Sequence, residues 1–159
     1  LGVLPKKLLE EILERNHVVL NEKTVILESY KRSATCLETI LKHSVVEDEV
    51  SVLSEAEYEK YPLVLPLAEC FLEKDIRLTY EEYHACIGAA ENYAKANENY
   101  QFNLTKIKGF HNIQITCFEG KWCMISKNRA PAIHFVIHHP KLRYALENMV
   151  LPIRDDEIE

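Results

Sequence analysis

Six residues toward the C-terminal end of this sequence carry side chains suited to holding a ligand: Lys127, Arg129, His134, His138, His139 and Lys141. Imidazoles bind transition metals, while guanidinium, ammonium and imidazolium groups bind anions. They lie in the stretch KNRAPAIHFVIHHPKLRYALENM, residues 127–149, with Pro131 and Pro140 among them. Secondary structure decides which chemistry is open to them. As a strand, AIHFVIHH sets His134 and His138 about 13 Å apart, at a rise of ~3.3 Å per residue. Two imidazoles sharing a zinc ion must each reach it at about 2 Å, so that spacing forbids a joint site. As a helix, the same pair lies one turn apart and can share a metal. The run Ile-Phe-Val-Ile favours β structure, and the two prolines bound a span too short for a helix. A strand is therefore expected and a metal is not. Ile133, Phe135 and Ile137 are expected to face the core, with His134, Val136 and His138 on the other side.

Pro140 suits the first position of a helix, which Leu142, Leu146, Met149 and Val150 are expected to pack. The N-terminus of that helix, beside His138, His139 and Lys141, offers free N–H groups and the positive end of the helix dipole. With Lys127, Arg129 and His134 near by, these residues are expected to form an anion site. A plainer account is that the charges answer the acidic first hundred residues.

Other chemistries find little support. The five cysteines, Cys36, Cys70, Cys86, Cys117 and Cys123, are scattered without a CxxC and read as buried free thiols in a reducing cytoplasm. Four separated glycines argue against a dinucleotide fold or a P-loop, and no cofactor is expected. The GxSxG, HExxH, EF-hand and kinase patterns are missing. Ser126 has no sequence neighbour to serve as its base, and Glu81–Glu82 and His84–Cys86 diverge on one helix. A dyad of Cys123 with His134, assembled on the sheet, is the enzymatic alternative.

The elements that must position these residues form an α+β domain. Residues 1–100 read as acidic and mostly helical, with short strands; residues 101–150 read as a basic β-β-β-α unit, an antiparallel three-stranded meander followed by a C-terminal helix. Net charge is −8 over the first part, +5 over the second and −3 over the last nine residues. LPKKLLEEILERN is an amphipathic helix. HVVLNEKTVIL reads as a hairpin, with a continuous helix competing. SYKRSATCLETILKH is helical, EVSVLS is a strand, and a helix carries Leu67, Cys70 and Phe71. Ser54–Glu57 and Thr79–Glu82 are capping boxes. The second opens a helix whose stripe of Tyr83, Ile87, Ala90 and Ala94 fits core packing better than a dimer seam. NENYQFN reads as a polar break. A two-residue turn at Glu119-Gly120 is expected to set Cys117 opposite Trp122 and Thr116 opposite Cys123. That register places Trp122 on the core face and puts Cys117 and Cys123 on opposite faces, where no disulfide can join them.

At 159 residues the chain fits a single domain, and it opens at Leu1 rather than Met, which reads as a fragment of a longer protein. No apolar run is long enough to span a bilayer. A sequence pI of about 5.7 disfavours direct nucleic-acid binding, even though aromatic residues interleave the basic part. By elimination the sequence points to a non-catalytic regulatory, ligand-sensing or dimerisation domain. Such a domain would be cytoplasmic and homo-oligomeric, would bind a small-molecule or protein ligand, and would suit the effector part of a bacterial-type transcription regulator. The alternative is a small intracellular enzyme using a Cys/His or metal site on the C-terminal sheet.

Overall fold

A computed structural model describes residues 2–64, 76–105, 113–127 and 133–148. The fold is α+β. Helices α1 (Lys6–Arg15), α2 (Leu20–Leu41), α3 (Glu55–Lys60) and α4 (Tyr80–Ala96) and a last helix α5 (residues 140–148) accompany one five-stranded sheet. Its strands are β1 (Val46–Ser51), β2 (Tyr100–Thr105), β3 (Gln114–Phe118), β4 (Trp122–Lys127) and β5 (Ile133–Ile137), in the order β2-β1-β3-β4-β5. The meander β3-β4-β5 is antiparallel throughout, as the sequence led us to expect. Two further strands extend it, β1 from the acidic part and β2 at the start of the basic part, and these two pair in parallel. A parallel pair needs a long crossover, here the segment that contains α3 and α4.

Both capping boxes form. Ser54 and Thr79 accept the amides of Glu57 and Glu82, whose carboxylates reach back to the cap amides. Each arrangement is worth about 1 kcal/mol of helix stability. Tyr83, Ile87 and Ala90 of α4 are buried, so that stripe is core. Tyr83 stacks on Tyr58 at 4.8 Å, and both hydroxyls do structural work. Tyr83 donates to the Ser51 carbonyl and accepts from the Leu53 amide, both at 3.1 Å. Tyr58 donates to the Leu78 carbonyl and accepts from the Leu63 amide.

Three expectations need correction. Residues 17–27 make no hairpin, because α2 runs unbroken from Leu20. The chain turns at His17, with φ 54°, where the Val18 amide bonds the Leu13 carbonyl and the His17 amide that of Glu14. This is a Schellman closure of α1 with histidine in the left-handed position that glycine normally fills. The supposed polar break NENYQFN enters strand β2. At the β3–β4 turn, Phe118 pairs with Trp122 and Cys117 with Cys123, so Lys121 belongs to a three-residue loop with Gly120 at φ 71°. That one-residue shift moves every β4 side chain to the other face. The expected strand EVSVLS is present, but it begins earlier, at Val46. The helix expected around Leu67, Cys70 and Phe71 lies outside the described residues.

The register sorts side chains onto two faces of opposite design. On the first, Tyr100, Phe102 and Leu104 of β2 pack with Leu53, Tyr83, Ile87 and Tyr93 beneath α2 and α4. Moving across the sheet, that face becomes mixed, with Asp48, Thr116, Gln114, Ser126 and His134 beside Phe118, Trp122, Met124 and Val136. On the second face the order reverses. Its apolar part, Ile115, Cys117 and Cys123, lies against Leu146 of α5, and its polar part lies on β1 and β2.

Candidate functional site

Of the six residues expected to form an anion site, the five that are described are spread over two faces and both ends of β5. Ser126 pairs with His134 and Lys127 with Ile133, so Lys127 and His134 occupy opposite faces. His138 lies beyond the far end of β5, about 16 Å from the Ile133 level at ~3.3 Å per residue. His138, His139 and Lys141 are exposed around the start of α5, and Arg129 lies outside the described residues. The strand expected over 132–139 is present as Ile133–Ile137. Its apolar side chains are not core, however: β5 is an edge strand, and Phe135 is 63 % and Val136 52 % exposed. Leu142 of α5 is also exposed, which leaves Leu146 as the apolar contact of that helix with the sheet. Met149 and Val150 lie outside the described residues. No group of three or more His, Cys, Asp or Glu side chains suited to a metal occurs among the described residues.

Tertiary structure gives Ser126 the neighbour that sequence did not. His134 Nδ1 lies 3.0 Å from Ser126 Oγ across the β4–β5 pair. Burial lowers the His134 pKa below its ordinary value. A histidine whose folded pKa is lowered contributes stability that is complete above the unfolded pKa and is lost as pH falls through the folded one. Urea unfolding is therefore expected to show stability falling as pH drops below the ordinary histidine range. In His134→Gln that part of the pH dependence should vanish; an unchanged profile would refute the assignment. Ser126 itself is buried, which suits a structural hydroxyl better than a nucleophile. Cys123 shares its face with Cys117 and Ile137, not with His134, so the alternative of a Cys123–His134 dyad is not formed.

Beside this pair sits a polar centre that sequence reading missed. Asp48, buried on β1, accepts hydrogen bonds from the Tyr100 hydroxyl, the Thr116 hydroxyl and, at 3.0 Å, the Gln114 amide. Thr116 lies directly opposite Asp48, while Tyr100 and Gln114 are diagonal neighbours. Three donors converging on one carboxylate make this centre self-contained.

The opposite face of β1 and β2 is different in kind. Glu47 pairs with Gln101, Glu49 with Asn103 and Ser51 with Thr105, which gives six polar side chains in three rows. Glu49 is 1 %, Ser51 5 % and Thr105 0 % exposed. Ser51 Oγ and Asn103 Nδ2 are buried and have no hydrogen-bond partner among the described residues. Buried polar groups are nearly always paired, and a bare one costs about 1–3 kcal/mol, so such atoms ask for an explanation. The strand alternation Glu-x-Glu-x-Ser beside Gln-x-Asn-x-Thr was visible in sequence. Its significance was not, because polar alternation ordinarily marks a solvated face.

Among the cysteines, Cys36 is exposed, against expectation, and Cys86 is half-buried, its thiol pushed up to about 11 by burial. Comparison with protein-family models, curated proteins and solved structures finds no match to this chain.

Proposed function

We propose that this chain is a non-catalytic regulatory domain that senses a small polar ligand on the β1–β2 face carrying Glu47, Glu49, Ser51, Gln101, Asn103 and Thr105. The observation that carries this reading is the pair of bare polar atoms, Ser51 Oγ and Asn103 Nδ2, buried on that face. Asn103 Nδ2 can only donate and Ser51 Oγ can donate or accept, which favours a ligand that carries an acceptor, such as a polyol or an amino acid. The exposed apolar side chains of edge strand β5, Ile133, Phe135 and Val136, favour assembly with further copies, since an uncharged edge is a ready template for pairing. In this reading the domain acts in the cytoplasm as the effector part of a transcription regulator. Its net charge of −6 leaves contact with nucleic acid to another domain.

Thermal-shift screening of the full chain with amino acids and polyols tests the proposal. A ligand present at a hundred times its Kd stabilises by about 2.7 kcal/mol. At least one compound is expected to raise the melting temperature of the wild type and to lose that effect in Asn103→Leu and Ser51→Val. Equal shifts in wild type and both variants would move the site elsewhere and sink the reading, as would a panel without any shift.

A further inference from the structure

Cys117 and Cys123 stand directly opposite each other on β3 and β4, and their sulfur atoms are 3.2 Å apart. Opposed residues of an antiparallel pair have Cα atoms about 4.5 or 5.5 Å apart, depending on the hydrogen-bonding pattern, and both spacings lie within the disulfide range of about 4.4–6.8 Å. The side chains share one face and already touch, with the Cys123 thiol donating to Cys117 Sγ. A bond of about 2.05 Å requires the sulfurs to close by roughly 1 Å, which side-chain rotation can supply. Both residues are buried beneath Leu146 of α5.

From this geometry we infer that Cys117 and Cys123 form a modification site, a cross-strand dithiol that closes to a disulfide when the folded protein meets hydrogen peroxide. One sulfur, as thiolate, attacks the peroxide O–O bond and becomes a sulfenic acid; the departing hydroxide takes up the thiol proton as water. The second sulfur attacks the first, the S–S bond forms, the S–O bond breaks and a second water leaves. Two thiols give up two electrons and two protons, and one peroxide becomes two waters. Burial raises both thiol pKa values, which keeps thiolate scarce and the first step slow. It also admits only a small oxidant. The second step is fast because the partner sulfur is already in contact. In a reducing compartment the pair stays a dithiol, and oxidant exposure locks the β3–β4 hairpin beneath α5.

Peptide mapping of the full chain tests this directly. Trypsin cleaves after Lys108, Lys121 and Lys127, giving peptides 109–121 and 122–127 with one cysteine each. The folded protein is treated with peroxide, its remaining thiols are alkylated in denaturant, and it is digested without reductant. The expected result is loss of both free peptides and appearance of the pair joined through Cys117 and Cys123, separable by dithiothreitol and missing in Cys117→Ser and Cys123→Ser. Exposed Cys36 reports that the oxidant has acted. If Cys36 is oxidised while both peptides are recovered alkylated and unjoined, the inference fails. It fails equally if the join appears only in urea-unfolded protein, or if Cys123 links to a different cysteine.

Discussion

Asp48→Ala is expected to lower the unfolding free energy by about 3–5 kcal/mol, because it removes a charged acceptor and strands buried donors. The Tyr100 and Thr116 hydroxyls and the Gln114 amide all converge on this carboxylate. Tyr100 and Thr116 are themselves buried, so water does not readily replace the lost acceptor. Burial and the neighbouring Asp48 also push the Tyr100 pKa upward, which keeps its hydroxyl a donor at all ordinary pH. The site ties β1 to both of its neighbours, since Tyr100 is on β2 and Thr116 on β3. Asp48→Asn keeps one carbonyl acceptor but turns an amide donor toward other donors, and its cost is expected to be about 1–3 kcal/mol. Urea unfolding of wild type and both variants at one pH measures this. A loss below about 1 kcal/mol in Asp48→Ala would show that the three donors find other partners and that the centre is not structural.

The second large effect belongs to the helical layer. Ile26→Ala is expected to cost about 2–5 kcal/mol through lost burial and the cavity left behind. Ile26 is 0 % exposed and joins Leu9, Ile12 and Leu13 of α1 with Ile76 and Leu78 in one apolar cluster. Val25, its immediate neighbour on α2, is 45 % exposed, and Val25→Ala should change stability by less than about 0.5 kcal/mol. The contrast between adjacent positions is the useful measurement. A helix buries one of the two and exposes the other in just this way. Comparable losses at both positions would contradict the packing of α2 on α1.

A bidentate ion pair joins α1 to α4. Arg15 at the end of α1 grips the Glu82 carboxylate of α4 through Nε and Nη2, both at 2.7 Å. Burial pushes the Glu82 carboxyl upward, but the Arg15 and Thr79 hydrogen bonds and the Arg15 charge outweigh it and hold the pKa below its ordinary value. The same carboxylate completes the Thr79 capping box, so one side chain closes a helix and joins two elements.

Some of this was legible residue by residue. Ser54–Glu57 and Thr79–Glu82 announced their helices because a capping box is a local device, complete within four residues. The strand at 133–137 and the helix from Pro140 were equally local, fixed by β-branched and aromatic residues and by proline geometry. The α+β class and the meander followed from such signals. Where local signals were ambiguous, the sequence misled. Val18, Val19 and Val25 resemble strand residues, yet Ile26, Tyr30, Leu37 and Leu41 sit at helical spacing, and packing on α1 and near β1 settles the matter in favour of the helix. Strand β2 was hidden because Gln101 and Asn103, two of its residues, are polar.

What the sequence determined by itself was therefore each element whose stabilising contacts lie within a few residues of one another. Tertiary structure decided everything that depends on register and on distant pairing. One extra residue in the β3–β4 loop carried Cys123 to the face of Cys117 and Trp122 to the other, because side chains alternate along a strand with a period of two. Parallel pairing of β1 with β2, more than fifty positions apart in the chain, set Glu49 beside Asn103 and Ser51 beside Thr105. Each of those residues alone looks like solvated surface. Only their burial on one shared face makes them a candidate binding site, and burial is a property of the assembled sheet.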